Sequence, residues 1–201
     1  MALFNVRICF VGDSFVNGTG DSECLGWTGR ICSAAIKQGH YFTYYNLGIR
    51  GETSTDIAGR WFEEVARRLP EDCDRRIIFS FGVNDTTIEN GKPRVELNQT
   101  KENTLQILSI AKSLFSVLMV SPPPIAEVEQ NSKVETLSQE LAIICEQLNV
   151  PYLDVFTLLQ KSEVWLKEVA ANDSYHPNAA GYLEFANLVQ NWDAWQSWFN
   201  S

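Results

Sequence analysis

Ser14 stands in the run Val11-Gly12-Asp13-Ser14-Phe15, directly after the apolar segment 6–11, and Asp173-Ser174-Tyr175-His176-Pro177 lies near the other end of the chain. A serine hydroxyl is a weak nucleophile at its own pKa and needs an adjacent base. Histidine titrates near neutrality and can serve as that base. A carboxylate three residues earlier, on a loop, can turn back to the other ring nitrogen and set the tautomer. The chain has two histidines, His40 and His176, and only His176 has such a carboxylate. The parts are those of a serine hydrolase, with Ser14 as nucleophile, His176 as base and Asp173 as its orienter.

Each part also has a plainer reading. Gly, Asp and Ser are favoured at any strand-to-helix turn. Asn84-Asp85 could be a turn, Gly48 and Gly51 turn glycines, and Asp-x-x-His-Pro a helix start with Pro177 at the first helical position. A phosphate loop competes through Gly18-Thr19-Gly20, but Glu23 stands where a third glycine would be and no Gly-Lys-Ser/Thr follows. There is no Gly-x-Ser-x-Gly elbow around Ser14. Without a His-Glu-x-x-His, two histidines leave little for zinc, so no metal is expected.

The elements that must position these residues alternate. Strands are expected at 6–11, 42–46, 76–81, 117–120 and 152–154, several as continuous apolar runs suited to strands covered on both faces. Ile57, Trp61, Val65 and Leu69 recur every four residues ahead of Pro70, with Thr53 or Ser54 as the cap. Leu105, Leu108, Ala111 and Phe115 form a second helical stripe, and Val134, Leu137, Leu141, Ile144 and Leu148 a third. A last helix is expected from just after Pro177 to about Phe199. Alternation predicts a five-stranded, mostly parallel sheet with helices on both faces, a three-layer α/β/α single domain over 1–201. Ligands of such sheets bind beyond the carboxyl ends of the strands. Ser14, Asn46-Leu47-Gly48, Gly82-Val83-Asn84-Asp85 and Ser121-Pro122-Pro123-Pro124 each follow a strand, which brings them to one edge.

Taken together, Gly12-Asp13-Ser14, Asn46 to Thr53, Gly82-Val83-Asn84-Asp85 and Asp173 to Asn178 resemble the four blocks of the SGNH hydrolases, the GDSL-type esterases and lipases. The resemblance runs from residue 6 to about 185. Phe15 replaces the family's Leu, a departure expected to touch no catalytic group. The resemblance implies a flavodoxin-like fold and an oxyanion hole built from the Ser14 and Gly48 backbone N–H groups and the Asn84 side chain. It implies acyl transfer through an acyl-Ser14 intermediate, with no cofactor. Asp13 and Asp85 are expected to brace their loops.

A net charge of −9 argues against nucleic acid and anionic membranes as partners. Hydrophobic residues at 45% supply a sizeable core. Five cysteines without a Cys-x-x-Cys argue against a disulfide framework. With neither signal-peptide pattern nor long apolar span visible, a cytoplasmic protein without a stable membrane anchor is expected. The expected partner is a small-molecule ester. A thioester or a sugar acetate is the alternative on the same site, and a non-catalytic ligand-binding protein the alternative of another class. Trp192, Trp195 and Phe199 are read as one face of the last helix, packing onto the core or else forming a homo-oligomer contact or an acyl-pocket wall. The proline run is read as a stiff turn that could border the cleft.

Overall fold

The computed structural model describes residues 5–199. Its elements in chain order are β1 (Val6–Gly12), α1 (Ser14–Asn17), α2 (Gly26–Lys37), β2 (Phe42–Gly48), α3 (Ser54–Arg68), β3 (Asp74–Ser80), β4 (Ile88–Glu89), β5 (Lys92–Pro93), α4 (Leu97–Leu114), β6 (Ser116–Val120), α5 (Val128–Leu148), β7 (Tyr152–Leu153), α6 (Phe156–Leu159), α7 (Glu163–Ala171), α8 (Ala179–Gln190) and α9 (Asp193–Ser197). The main sheet has the order β2-β1-β3-β6-β7, and all of its pairings are parallel. This is the flavodoxin-like order, whose connections reverse direction between β1 and β3 and open a crevice there.

β1 lies in the interior of the sheet, between β2 and β3, because its apolar residues can be covered on both faces. Ile8 and Phe10 enter a core with Trp27, Phe185 and Trp195, while Cys9 and Val11 enter a second core with Ile57, Trp61 and Ile107. Alternate residues point to opposite faces of a strand, so one seven-residue segment anchors both helical layers. Burial pushes the thiols of Cys9 and Cys145 up to about 12, which leaves them as apolar filling. Among the described residues, no helix is long and apolar enough to cross a membrane.

Thr53, not Ser54, caps α3, in a reciprocal capping box with Asp56. The stripe of α4 differs from expectation. Leu105 is exposed, and the buried face runs through Thr104, Ile107, Leu108 and Ala111. Thr104 can face inward because its hydroxyl donates to the Thr100 carbonyl. The expected stripe of α5 is buried from Val134 to Ile144, with Leu148 packed at its margin.

Two further departures are local. β4 and β5 form a small antiparallel hairpin whose turn, Asn90-Gly91, takes left-handed backbone at both residues. Asn-Gly is the preferred pair for that turn. The expected last helix is two helices, broken at Asn191 and Trp192, where Trp192 is extended (φ −81°, ψ 124°). The break turns the chain back over the sheet. Trp195 is buried against Phe10 and Phe199, and Arg76 on β3 donates to the Trp198 carbonyl beneath the Trp198 and Phe199 rings. Trp195 therefore lies in the core cluster with Trp192 and Phe199 packed against it, which is the expected packing onto the core, reached from the break and from α9 rather than from one face of a single helix.

Candidate active site

Strand register sets the level of the site. Gly12 at the end of β1 lies opposite Gly48 of β2 on one side and Ser80 of β3 on the other. The three chains that leave those positions carry Ser14, residues 49–53 and Asn84. Asp13 caps α1, its Oδ1 accepting the Phe15 N–H at 3.0 Å, so Ser14 opens a single helical turn. That turn closes on Gly18 in a left-handed conformation, whose N–H donates to the Ser14 carbonyl at 3.0 Å. Ser14 is thereby fixed from both sides of its backbone.

His176 arrives from the loop between α7 and α8, 162 residues away in sequence. Its Nε2 lies 2.7 Å from Ser14 Oγ, and its Nδ1 lies 2.7 Å from Asp173 Oδ2. Asp173 Oδ1 accepts the backbone N–H groups of His176 at 2.8 Å and Tyr175 at 3.0 Å. This tight loop requires left-handed backbone at Ser174 (φ 69°), and it is held outside by Ala126 N–H on the Ser174 carbonyl and by Asn172 on the His176 carbonyl. Pro177 is not the first helical residue: Asn178 caps the helix that follows, and Ala179 opens it.

An ionised Asp173 can only accept, so the proton of the imidazole sits on Nδ1 and Nε2 faces the serine hydroxyl as an acceptor. Burial holds His176 below the ordinary histidine range; Asp173 opposes that shift and the Arg50 charge adds to it. Partial burial pushes Asp173 up, but the His176 and Tyr175 N–H groups and the His176 ring outweigh it and keep the carboxyl below its usual value. The pair is thus neutral imidazole beside ionised carboxylate at neutral pH.

Phe15 touches the imidazole, contrary to expectation. Its ring lies 4.9 Å from that of His176, tilted by 41°, and stacks on its other side toward Trp165. The residue in the family's Leu position forms an aromatic wall against the His176 imidazole.

Asn84 opens a 3₁₀ turn after β3. Its Nδ2 donates to the Glu52 carbonyl at 2.9 Å, while Asp13 Oδ2 stands 3.5 Å away, at the limit of a hydrogen bond. One amide proton is therefore held and the other is only loosely engaged. The turn is braced by groups that sequence reasoning missed. Gln130 of α5 donates to the Val83 carbonyl, Thr86 and Thr87, and Arg60 of α3 joins Glu52 to the Gly12 and Leu47 carbonyls. Asp85 accepts the Ser54 N–H and the Thr100 hydroxyl, each at 2.9 Å. Burial raises Asp85, and raises Asp13 to about 7, with the charges of Asp85 and Glu52 adding to the latter.

Gly48 is placed differently from expectation. Its N–H donates to Asn46 Oδ1 at 2.9 Å, and a Cβ there would stand 2.2 Å from Asn17 N and 2.7 Å from the Asp13 carbonyl. Gly48 is a close-packing glycine under α1. Gly51 is the glycine at the site. It lies between Arg50, which reaches Asp173, and Glu52, whose carbonyl holds Asn84. It has φ +82° and open space around its Cα, and its N–H has no acceptor among the described residues. The second glycine of the same block was visible in the sequence; only the backbone distinguishes the two.

Ser121 Oγ accepts the N–H groups of Val155 and Phe156, and Trp165 donates to the Pro124 carbonyl, so the proline run 122–124 is a buried, pinned wall.

The chain belongs to the GDSL-like Lipase/Acylhydrolase family, which it matches over residues 10–183. Family membership marks it as an ester-hydrolysing enzyme. It is similar to a GDSL esterase/lipase of Arabidopsis thaliana, 26% identical over an alignment of 147 residues that covers 62% of this chain and 57% of the plant protein, less than two thirds of its length. It is similar to an acetylxylan esterase of Geobacillus stearothermophilus, 25% identical over 202 residues and 90% of each chain. An α/β hydrolase enzyme from the metagenome of Lake Arreo, Spain, shares the fold over the whole of both chains, with a TM-score of 0.78 at 17% identity.

Proposed function

We propose that this protein is a serine esterase that hydrolyses carboxylic esters through an acyl-Ser14 intermediate. The observation that carries the reading is the unbroken relay of two 2.7 Å contacts from Ser14 Oγ through His176 to Asp173. In the first half-reaction Nε2 takes the hydroxyl proton as Oγ bonds to the carbonyl carbon, and the electron pair of the C=O moves to oxygen. The donors that meet this oxyanion are the Ser14 N–H, the Asn84 amide proton that Glu52 does not hold, and the Gly51 N–H in place of the Gly48 one. The imidazolium then returns its proton to the departing alcohol oxygen. In the second half-reaction water loses a proton to Nε2, attacks the acyl carbon and frees Ser14.

A carbohydrate acetate is the second reading. It is supported by the acetylxylan esterase relative, whose likeness extends over 90% of each chain. One experiment tests both. An organophosphonate probe with peptide mapping should label Ser14 once, and an ester panel including acetylated xylo-oligosaccharide, run with wild type and Ser14→Ala, should show turnover lost in the variant. An adduct on another serine, or full turnover in Ser14→Ala, would sink the mechanism, and no adduct together with no turnover on any ester would favour a ligand-binding protein.

A further inference from the structure

Arg50 is the cation beside this site. It lies in the turn between β2 and α3, next to Gly51, and its side chain is 69% exposed. Its Nη2 stands 3.6 Å from Asp173 Oδ2, the same oxygen that holds His176 Nδ1. That long ion pair is the guanidinium's sole polar contact among the described residues. Its neighbours differ. Arg60 is tied to Glu52 and two carbonyls, and Arg30 to Asp21, Glu23 and the Gly26 carbonyl. An exposed ion pair at such a distance contributes little. Arg50 is therefore a charged fork at the rim of the site with its donors open to solvent, a shape matched to carboxylate and phosphate.

Two considerations give that fork a direction. The chain carries a net charge of −9, so an anionic substrate meets a repulsive field except where a local cation reverses it. Arg50 and His176 meet the same Asp173 oxygen, so the guanidinium stands on the His176 side of Ser14, the side from which the departing alcohol takes its proton. A group bound by Arg50 would then lie on the leaving-group side.

We propose that Arg50 is a specificity-determining residue that selects esters whose alcohol portion carries a carboxylate or phosphate near the scissile bond. On binding, the guanidinium exchanges its loose pairing with Asp173 for a charge-assisted contact to the substrate anion. The proposal rests on the reading of Ser14 as the nucleophile of an esterase, and its test separates the two.

The probes are 4-acetoxybenzoate and 4-acetoxyphenyl phosphate, each measured against the neutral methyl 4-acetoxybenzoate with wild type, Arg50→Gln, Arg50→Lys and Arg50→Glu. The readout is the ratio of kcat/KM for anionic to neutral ester, which cancels the intrinsic reactivity common to all variants. Arg50→Gln should lower that ratio by about fivefold or more, chiefly through KM, the size of one charge-assisted contact at a partly exposed site. Arg50→Lys should restore part of it and Arg50→Glu lower it further. A loss confined to one anionic probe identifies which anion is read. Raising salt should lower the anionic-to-neutral ratio more in wild type than in Arg50→Gln, because the field of the rest of the chain is common to both. Ratios equal across the variants, or the same salt response of the ratio in wild type and Arg50→Gln, would overturn the role of Arg50 while leaving the esterase reading in place. Absence of Ser14-dependent turnover on every probe would overturn both.

Discussion

In the proposed mechanism His176 acts as base only while its imidazole is neutral, and burial keeps it so below the ordinary histidine pKa of about 6.5. The acid limb of kcat/KM should therefore lie below that value. Asp173 opposes the shift by stabilising the imidazolium. Asp173→Asn should lower the maximum and also move the acid limb to still lower pH, a pair of changes that a merely structural role would not produce. Profiles of kcat/KM against pH for both proteins check this, and unaltered profiles would reduce the machinery to a Ser14–His176 dyad. Asn84→Ala should cost ~10²–10³ in kcat with little change in KM, because the amide serves the developing oxyanion rather than the bound ester. An unchanged kcat on the best ester would remove Asn84 from the site.

At the scale of elements, the site depends on strand ends packed closely enough to converge. Gly48→Ala would drive a Cβ into backbone atoms of α1, at 2.2 Å from Asn17 N, so the turn that carries Ser14 must shift. Gly51→Ala meets open space and faces only the cost of left-handed backbone, about 1–2 kcal/mol. Thermal melts should show a much larger loss for Gly48→Ala than for Gly51→Ala; equal losses would contradict the close packing under α1. The C-terminal segment is held by burial of its aromatics. Trp195, 2% exposed between Phe10, Trp198 and Phe199, should cost about 3–5 kcal/mol when cut to alanine, measured by denaturant unfolding. A loss below about 1 kcal/mol would mean that α9 is dispensable to the core.

For the whole molecule, the buried Asp13 carboxyl beside Ser14 ties stability to pH. Asp13 keeps its proton in the folded chain up to about 7, whereas an unfolded aspartate loses it near 3.9. Its contribution is therefore full below the unfolded value and declines as pH rises through the folded one. Asparagine caps a helix as well as aspartate and has no such titration. The melting temperature of Asp13→Asn relative to wild type should rise from pH 4 to 7 and level off above. A difference independent of pH would show that Asp13 is ionised in the folded protein.

The alternation of apolar strands with amphipathic segments was enough for the layers, the parallel sheet and the edge at which Ser14, Asn84 and His176 would meet, because burial on two faces imposes those patterns on any sequence that folds this way. The Asn90-Gly91 hairpin is equally local, since its turn is set by those two residues alone. Other features were not local. Whether Gly48 or Gly51 presents a free N–H depends on which one α1 presses against, and both look alike in the chain. Phe15 meets His176, and Arg50 meets Asp173, only across the sheet. The break at Asn191 and Trp192 is followed by contacts of Trp195 with Phe10 and of Trp198 with Arg76, partners more than a hundred residues away in the chain. Residue type and spacing determined which groups could react; contacts between segments distant in sequence decided which of them face each other, because those contacts exist only once the strands have paired.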